Sequence, residues 1–200
     1  WLEIYGTLKA VGTKAEPIMF GGDNAWRGIR FKDSSESYKE GSGSVVQHAF
    51  LNGTSCYEKY PLIRIEKASP KISDNTFHCG ETQVYSKTHA IFIEDWDGDL
   101  SLTNNILPNQ YIIGGDTGVS NGVLVVSDNQ VGGIQLDSQG QSLSVRNNSI
   151  GVASSHLDMF ALGVSCWYGF ETSIEVTGNT IDLRSSPQSL SGMWLTGWCH

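Results

Sequence analysis

One short phrase recurs five times along the chain: an apolar residue, two polar ones, an asparagine, one further residue and a second apolar residue. The copies run from Ile72 to Phe77, Leu102 to Leu107, Val126 to Val131, Val145 to Ile150 and Val176 to Ile181. Their asparagines, Asn75, Asn105, Asn129, Asn148 and Asn179, stand 30, 24, 19 and 31 residues apart. Self-similarity at about 20 to 50 residues marks stacked architectures, because one repeat alone cannot bury its apolar face. Uneven spacing suits a coil whose turns accept insertions while its short strands stay fixed. An asparagine tolerates the left-handed backbone of a sharp bend. Its amide is expected to bond the equivalent amide one coil away, with the two flanking apolar residues pointing inward.

Composition agrees. Gly is frequent at 23 residues and charged residues are only 17% of the chain. Ser, Thr, Asn, Val and Ile supply strand and turn chemistry, and long 3.6-period runs of helix formers are missing. The formal charge is −8, from 13 basic and 21 acidic residues, which disfavours nucleic acid as a partner. No apolar run reaches the roughly 18 residues of a membrane-spanning helix.

Ahead of the five copies, Ile4, Leu8, Ala10, Ile18, Phe20, Ile29 and Phe31 alternate with polar residues in short runs cut by Gly6, Gly12, Pro17, Gly21, Gly22 and Gly28. Such runs read as strands, while the Gly/Ser-rich stretch from Asp33 to Ser44 reads as a loop protruding from one turn. The segment Gly6 to Thr13, then Pro17 to Phe20 and Trp26 to Phe31, resembles the opening coils of right-handed parallel β-helix proteins. The asparagine phrase is similar to the recurring I-x-x-N-x-I coil of that pectate-lyase-like superfamily. The resemblance implies an all-β chain, a single-stranded right-handed parallel β-helix of about eight coils and some 40 Å in length. The resemblance covers nearly the whole chain, and with no Pro-rich or charged linker to divide it, residues 1–200 read as one domain. Function does not follow, because one scaffold hosts unrelated activities.

Four cysteines contain no CxxC pair, which argues against structural zinc and thioredoxin-like chemistry. Cys56 and Cys79 are 23 apart and Cys166 and Cys199 are 33 apart, each close to one repeat. Stacked coils would bring each pair within disulfide reach, the alternative being four buried thiols. Bridges imply an oxidising compartment. Two N-x-[ST] sequons, at Asn52 and Asn147, fit secretion. Trp1 opens in mid-pattern and neither terminus reads as the polar cap a solenoid requires, so a piece of a longer protein is expected.

Two constellations carry possible chemistry. In Glu94 to Asp99, the carboxylates Asp95, Asp97 and Asp99 alternate about Gly98, with Asp116 near one coil later. Such oxygens could converge on calcium, which takes six to eight of them, or form a solvated acidic turn. Among the aromatics, Trp167 and Tyr168 lie about one coil before Trp194, and Tyr85 lies about one coil before Tyr111. Side-by-side rings offer a sugar platform, and Trp96 is expected to join it beside the acidic turn. Trp26 is assigned to packing.

The β-helix lyases of the resembled superfamily use a Lys or Arg as base, for which Arg64, Lys67, Lys71, Lys87, Arg146 and Arg184 are available. None of their local signatures occurs here: no Arg-x-Pro-x-x-Arg, no Gly-His-Gly and no paired Asp-Asp. Gly118 to Gly122 matches G-x-S-x-G without the helix that a nucleophile elbow needs. The five histidines show no metal-ligand spacing. The chain is thus expected to be a secreted or cell-surface module that binds polysaccharide or serves a structural or adhesive role, without turnover. Its rivals are a polysaccharide lyase or glycoside hydrolase, and an architectural rod whose uncapped ends stack end to end.

Overall fold

The computed structural model describes residues 1–22, 26–53, 60–79, 89–107, 112–116, 122–138, 142–151, 161–166, 173–182 and 193–197. Among them there is no helix, and every paired strand runs parallel to its neighbours. The short apolar runs punctuated by Gly, Pro and Asn have become strands. The eight-stranded first sheet takes, in order, Leu2–Ile4, Ile29–Phe31, Ile63–Glu66, His89–Asp95, Ile112–Asp116, Gly133–Ser138, Leu162–Cys166 and Met193–Gly197. The seven-stranded second sheet takes Lys9–Val11, Val45–Gln47, Lys71–Ser73, Leu100–Thr103, Val123–Ser127, Ser142–Arg146 and Ile174–Thr177.

Two three-stranded sheets make a third ladder, one of Ile18–Phe20, Ala49–Gly53 and Thr76–Cys79, the other of Gln130–Val131, Ser149–Gly151 and Thr180–Asp182. Ile106 joins them, bridging to Thr76 on one side and Gln130 on the other. The chain therefore visits first, second and third ladder in rotation and returns to each one strand further on.

Register follows from this rotation. Ile4, Phe31, Ile65, Ile93, Gly115, Leu136 and Val164 form one continuous row across the first sheet. All of its side chains are buried. In the first four asparagine phrases both flanking apolar residues are buried, and Val176 and Ile181 of the fifth pack half-buried against the core. Each such side chain contributes about 1.5–3 kcal/mol through burial, which makes the stacked rows the main source of stability. Trp26 is a packing residue, stacked on Phe20 at 6.3 Å.

The asparagines form a ladder. Each Nδ2 donates to the next Oδ1: Asn75 to Asn105 at 3.1 Å, Asn105 to Asn129 at 3.1 Å, Asn129 to Asn148 at 3.0 Å and Asn148 to Asn179 at 2.9 Å. The same Oδ1 atoms accept backbone N–H groups of the preceding asparagine at 2.9–3.2 Å. The second Nδ2 hydrogen goes to a carbonyl one round earlier, as from Asn129 to Leu102 at 3.0 Å. The row ends at Ala49, whose N–H donates to Asn75 Oδ1 at 2.9 Å.

The bend itself falls one residue earlier than the sequence suggested. Asp74, Asn104, Asp128, Asn147 and Gly178 take the left-handed conformation, with φ from 55° to 64°, as does His48 at 49°. The asparagines proper are thus free to turn inward. Short Asx side chains tolerate this conformation best, and at Gly178 an added Cβ would collide with Asn147 Oδ1.

Outside the first sheet lies a lattice of charge. Glu66 meets Arg30 at 2.6 Å, Lys32 at 2.6 Å and Arg64 at 2.9 Å, while Arg64 also holds Glu94 at 2.7 Å. Burial works to raise the Glu66 pKa, but hydrogen bonds from Arg30 and Lys32 outweigh it and lower the carboxyl from 4.5 to about 2. A depressed carboxylate stabilises the fold above its unfolded value, so this contribution is lost as pH falls from 4.5 toward 2. Chemical denaturation of Glu66→Gln across that window is expected to show a shallower loss of stability than the parent; equal slopes would refute the assignment. In the ladder, Asn129→Ala orphans several buried groups and is expected to cost at least about 3 kcal/mol in urea unfolding. Asn179→Ala, at the ladder's half-buried end, should cost less.

Candidate functional site

Two corners leading from the first ladder to the second enclose a cavity. One is the excursion between Phe31 and Val45, which does not protrude as a free loop. Its backbone is tied down at Glu36 N–H to Gly6 C=O (3.1 Å), Tyr38 N–H to Ser69 C=O (2.7 Å) and Ser44 N–H to Glu36 C=O (3.0 Å). A small hairpin pairs Lys39 with Ser42. Ser35 donates its hydroxyl to Ile4 C=O, and Thr7 donates to the Glu36 carboxylate.

The other corner is the acidic turn. Gly98 takes φ 84°, and the Asp97 carbonyl accepts hydroxyls from Ser37 and Ser69. Asp99 Oδ1 accepts the Val123 N–H at 3.0 Å. Gly122 sits beneath this turn so closely that an added Cβ would overlap the Gly98 carbonyl.

Between the two corners is a cavity of about 660 Å³, lined by Glu36, Tyr38, Lys39, Asp97 and Asp99 together with Ser35, Ser37, Ser42 and three glycines. The three carboxylate residues and Lys39 are exposed, and Tyr38 is half-buried with Lys71 Nζ 5.5 Å from its ring centroid. Carboxylates bound to fixed donors at one oxygen present the remaining lone pairs as oriented acceptors. This wall can accept several hydroxyl hydrogens and offer one aromatic edge or face.

The structure brings Asp97 and Asp99 to this cavity and sends Asp95 elsewhere. Asp95 Oδ1 accepts the Trp96 N–H at 2.8 Å, and Asp95 lines a separate cavity of about 430 Å³ with Arg30, Lys32, Asp33, Glu66, Lys67 and Glu94. Alternation about Gly98 therefore splays the acids instead of gathering them. Among the described residues no three His, Cys, Asp or Glu side chains group to hold a metal ion. The three acids expected from the sequence to serve calcium, Asp95, Asp97 and Asp99, are thus divided between two cavities.

Trp96 needs correction too. It is 2% exposed and belongs to the core cluster, with no hydrogen-bond partner for Nε1 among the described residues, so it is an anchor under the turn and not a sugar contact. Trp194 is 40% exposed on the last strand of the first sheet, in register with Gly163. Trp167, Tyr168, Tyr85, Tyr111, Cys56 and Cys199 lie outside the described residues, and Cys79 and Cys166 are described by backbone alone. Glu36 and Tyr38 were not singled out from sequence. A lone aromatic within a Gly/Ser-rich stretch was the available signal.

No family model, curated protein or solved structure matches this chain. The assignment of Trp96 to the core is open to measurement: Trp96→Ala is expected to cost about 3–5 kcal/mol in equilibrium unfolding, as for other buried tryptophans. A loss below about 1 kcal/mol would return it to the surface.

Proposed function

We propose that the chain is a single-stranded right-handed parallel β-helix of about eight coils that binds polysaccharide outside the cell without cleaving it. The cavity between the Ser35 to Gly43 excursion and the acidic turn is the binding site. The observation that carries this reading is its lining, in which three carboxylate residues, a lysine and three serines surround one tyrosine in about 660 Å³. Sugars present dense hydroxyl donors on a ring with apolar faces. Charged acceptors form the stronger hydrogen bonds to such donors, and an aromatic ring covers the apolar face. A volume of this size lies within the usual range for ligand sites.

Glu36 accepts from Thr7 and Asp99 from the Val123 amide, which orients two of the three carboxylates as acceptors for ligand hydroxyls. Absence of turnover is part of the proposal and rests on the lack of any lyase or hydrolase signature in the sequence. Trp194 offers a further stacking surface on the first sheet. Disulfides Cys56–Cys79 and Cys166–Cys199 belong to the same extracellular reading, and intact mass before and after reduction tests them.

A glycan array followed by calorimetry tests the function. At least one polysaccharide class should bind, with Tyr38→Ala and Asp97→Ala each weakening it about tenfold or more. The array should show no release of reducing ends or unsaturated products. Failure of every glycan to bind would overturn the proposal, and turnover lost in Asp97→Ala would replace it with an enzyme.

A further inference from the structure

The geometry points to a second ligand site, at the corner between the second and third ladders, that takes a small ring compound bearing a carboxylate. A cavity of about 320 Å³ opens there, with Pro17, Phe50 and Ile106 as apolar lining and Lys14, His48 and Asp74 as its charged or titratable groups. This mixture differs from the hydroxylated, acidic cavity on the other corner. Mostly apolar walls with a few placed polar groups are the usual character of small-molecule sites.

The walls are built by the fold. Phe50 lies on the outward row of the third ladder, in register with Met19 and Thr76, and is stacked against His78 at 6.4 Å. Ile106, the lone bridging residue of that ladder, remains 49% exposed. Such exposure of a large aliphatic side chain inside a concavity favours an apolar ring.

The polar side is set by two corner residues and a turn. His48 is fixed in the left-handed conformation by its N–H to Ser73 C=O (3.3 Å) and its carbonyl accepting Ile18 N–H (3.0 Å). Lys14 rides on a turn closed by Thr13 N–H to Glu16 C=O at 3.0 Å, with exposed Glu16 two residues on. Lys14 and His48 make no ion pair among the described residues. Asp74 opposes an anion, but Gln47 Nε2 donates to one of its oxygens at 3.0 Å. Lys14 is the cation lining this cavity and Asp74 its formal counter-charge, with the His48 imidazole as a further hydrogen-bonding group. A carboxylate would meet Lys14 and His48 while its ring covers Phe50 and Ile106.

Sugar acids and aromatic acids both carry this chemistry, so the probes are glucuronate and benzoate, with glucose and benzyl alcohol as their neutral counterparts. Each is titrated into the full chain and followed by calorimetry and by the His48 imidazole signals in NMR. At least one acid should bind saturably and more tightly than its neutral counterpart, and which acid binds assigns the source. Lys14→Gln should weaken it about tenfold, the loss of one charge-assisted contact. Asp74→Asn, which keeps a residue suited to the left-handed bend, should strengthen it severalfold, while Tyr38→Ala leaves it unchanged. Absence of saturable binding by both acids, equal binding of the neutral counterparts, or an unchanged affinity in Lys14→Gln would overturn the proposal.

Discussion

A buried amide in a protein interior is costly unless every donor and acceptor finds a partner. The asparagine ladder meets that demand only when successive rounds lie directly on one another in register. Each Asn Nδ2 spends one hydrogen on the neighbouring Oδ1 and the other on a carbonyl of the preceding round. A one-residue slip would strand these groups and also turn the apolar row of the same strands outward. The ladder and the apolar rows therefore impose the same register. Agreement between local and global preferences of this kind favours a single folded state.

Because register is fixed at this corner, the other corners are free to vary. The spacing between ladder asparagines ranges from 19 to 31 residues without disturbing the pairing. The excursion between Phe31 and Val45 uses that freedom to wall the larger cavity, with the acidic turn two rounds further along as the opposite wall. Rigid strands carrying variable connections are a common arrangement for ligand sites. The charge lattice about Glu66 sits beside this region and restrains the strands that lead into it.

The strands, the inward apolar positions and the ladder were legible because they obey a repeat, and periodicity is what a single sequence displays best. The bend falls one residue before the ladder asparagine, a distinction hidden in the sequence because Asn and its Asx neighbours share the same tolerance for left-handed backbone. Register alone decides which of them turns inward. Residues 95, 97 and 99 alternate in sequence, but Asp95 lines one cavity and the other two line another, a divergence about Gly98 that spacing alone does not display. The burial of Trp96 was not legible, because hydrophobicity beside a polar turn does not reveal which side of the wall a ring occupies. Glu36 and Tyr38 gave little warning, as their role depends on hydrogen bonds to residues some thirty positions away.

The central claim is that Asn105, Asn129 and Asn148 are sealed, mutually bonded amides that hold the stack in register. Hydrogen exchange of side-chain amides tests it most directly. The account predicts that Nδ2 protons of these three residues exchange as slowly as core backbone amides, whereas those of the outward corner residues Asn104 and Asn147 exchange rapidly. Rapid exchange at Asn129, with the backbone of the flanking strands still protected, would contradict it.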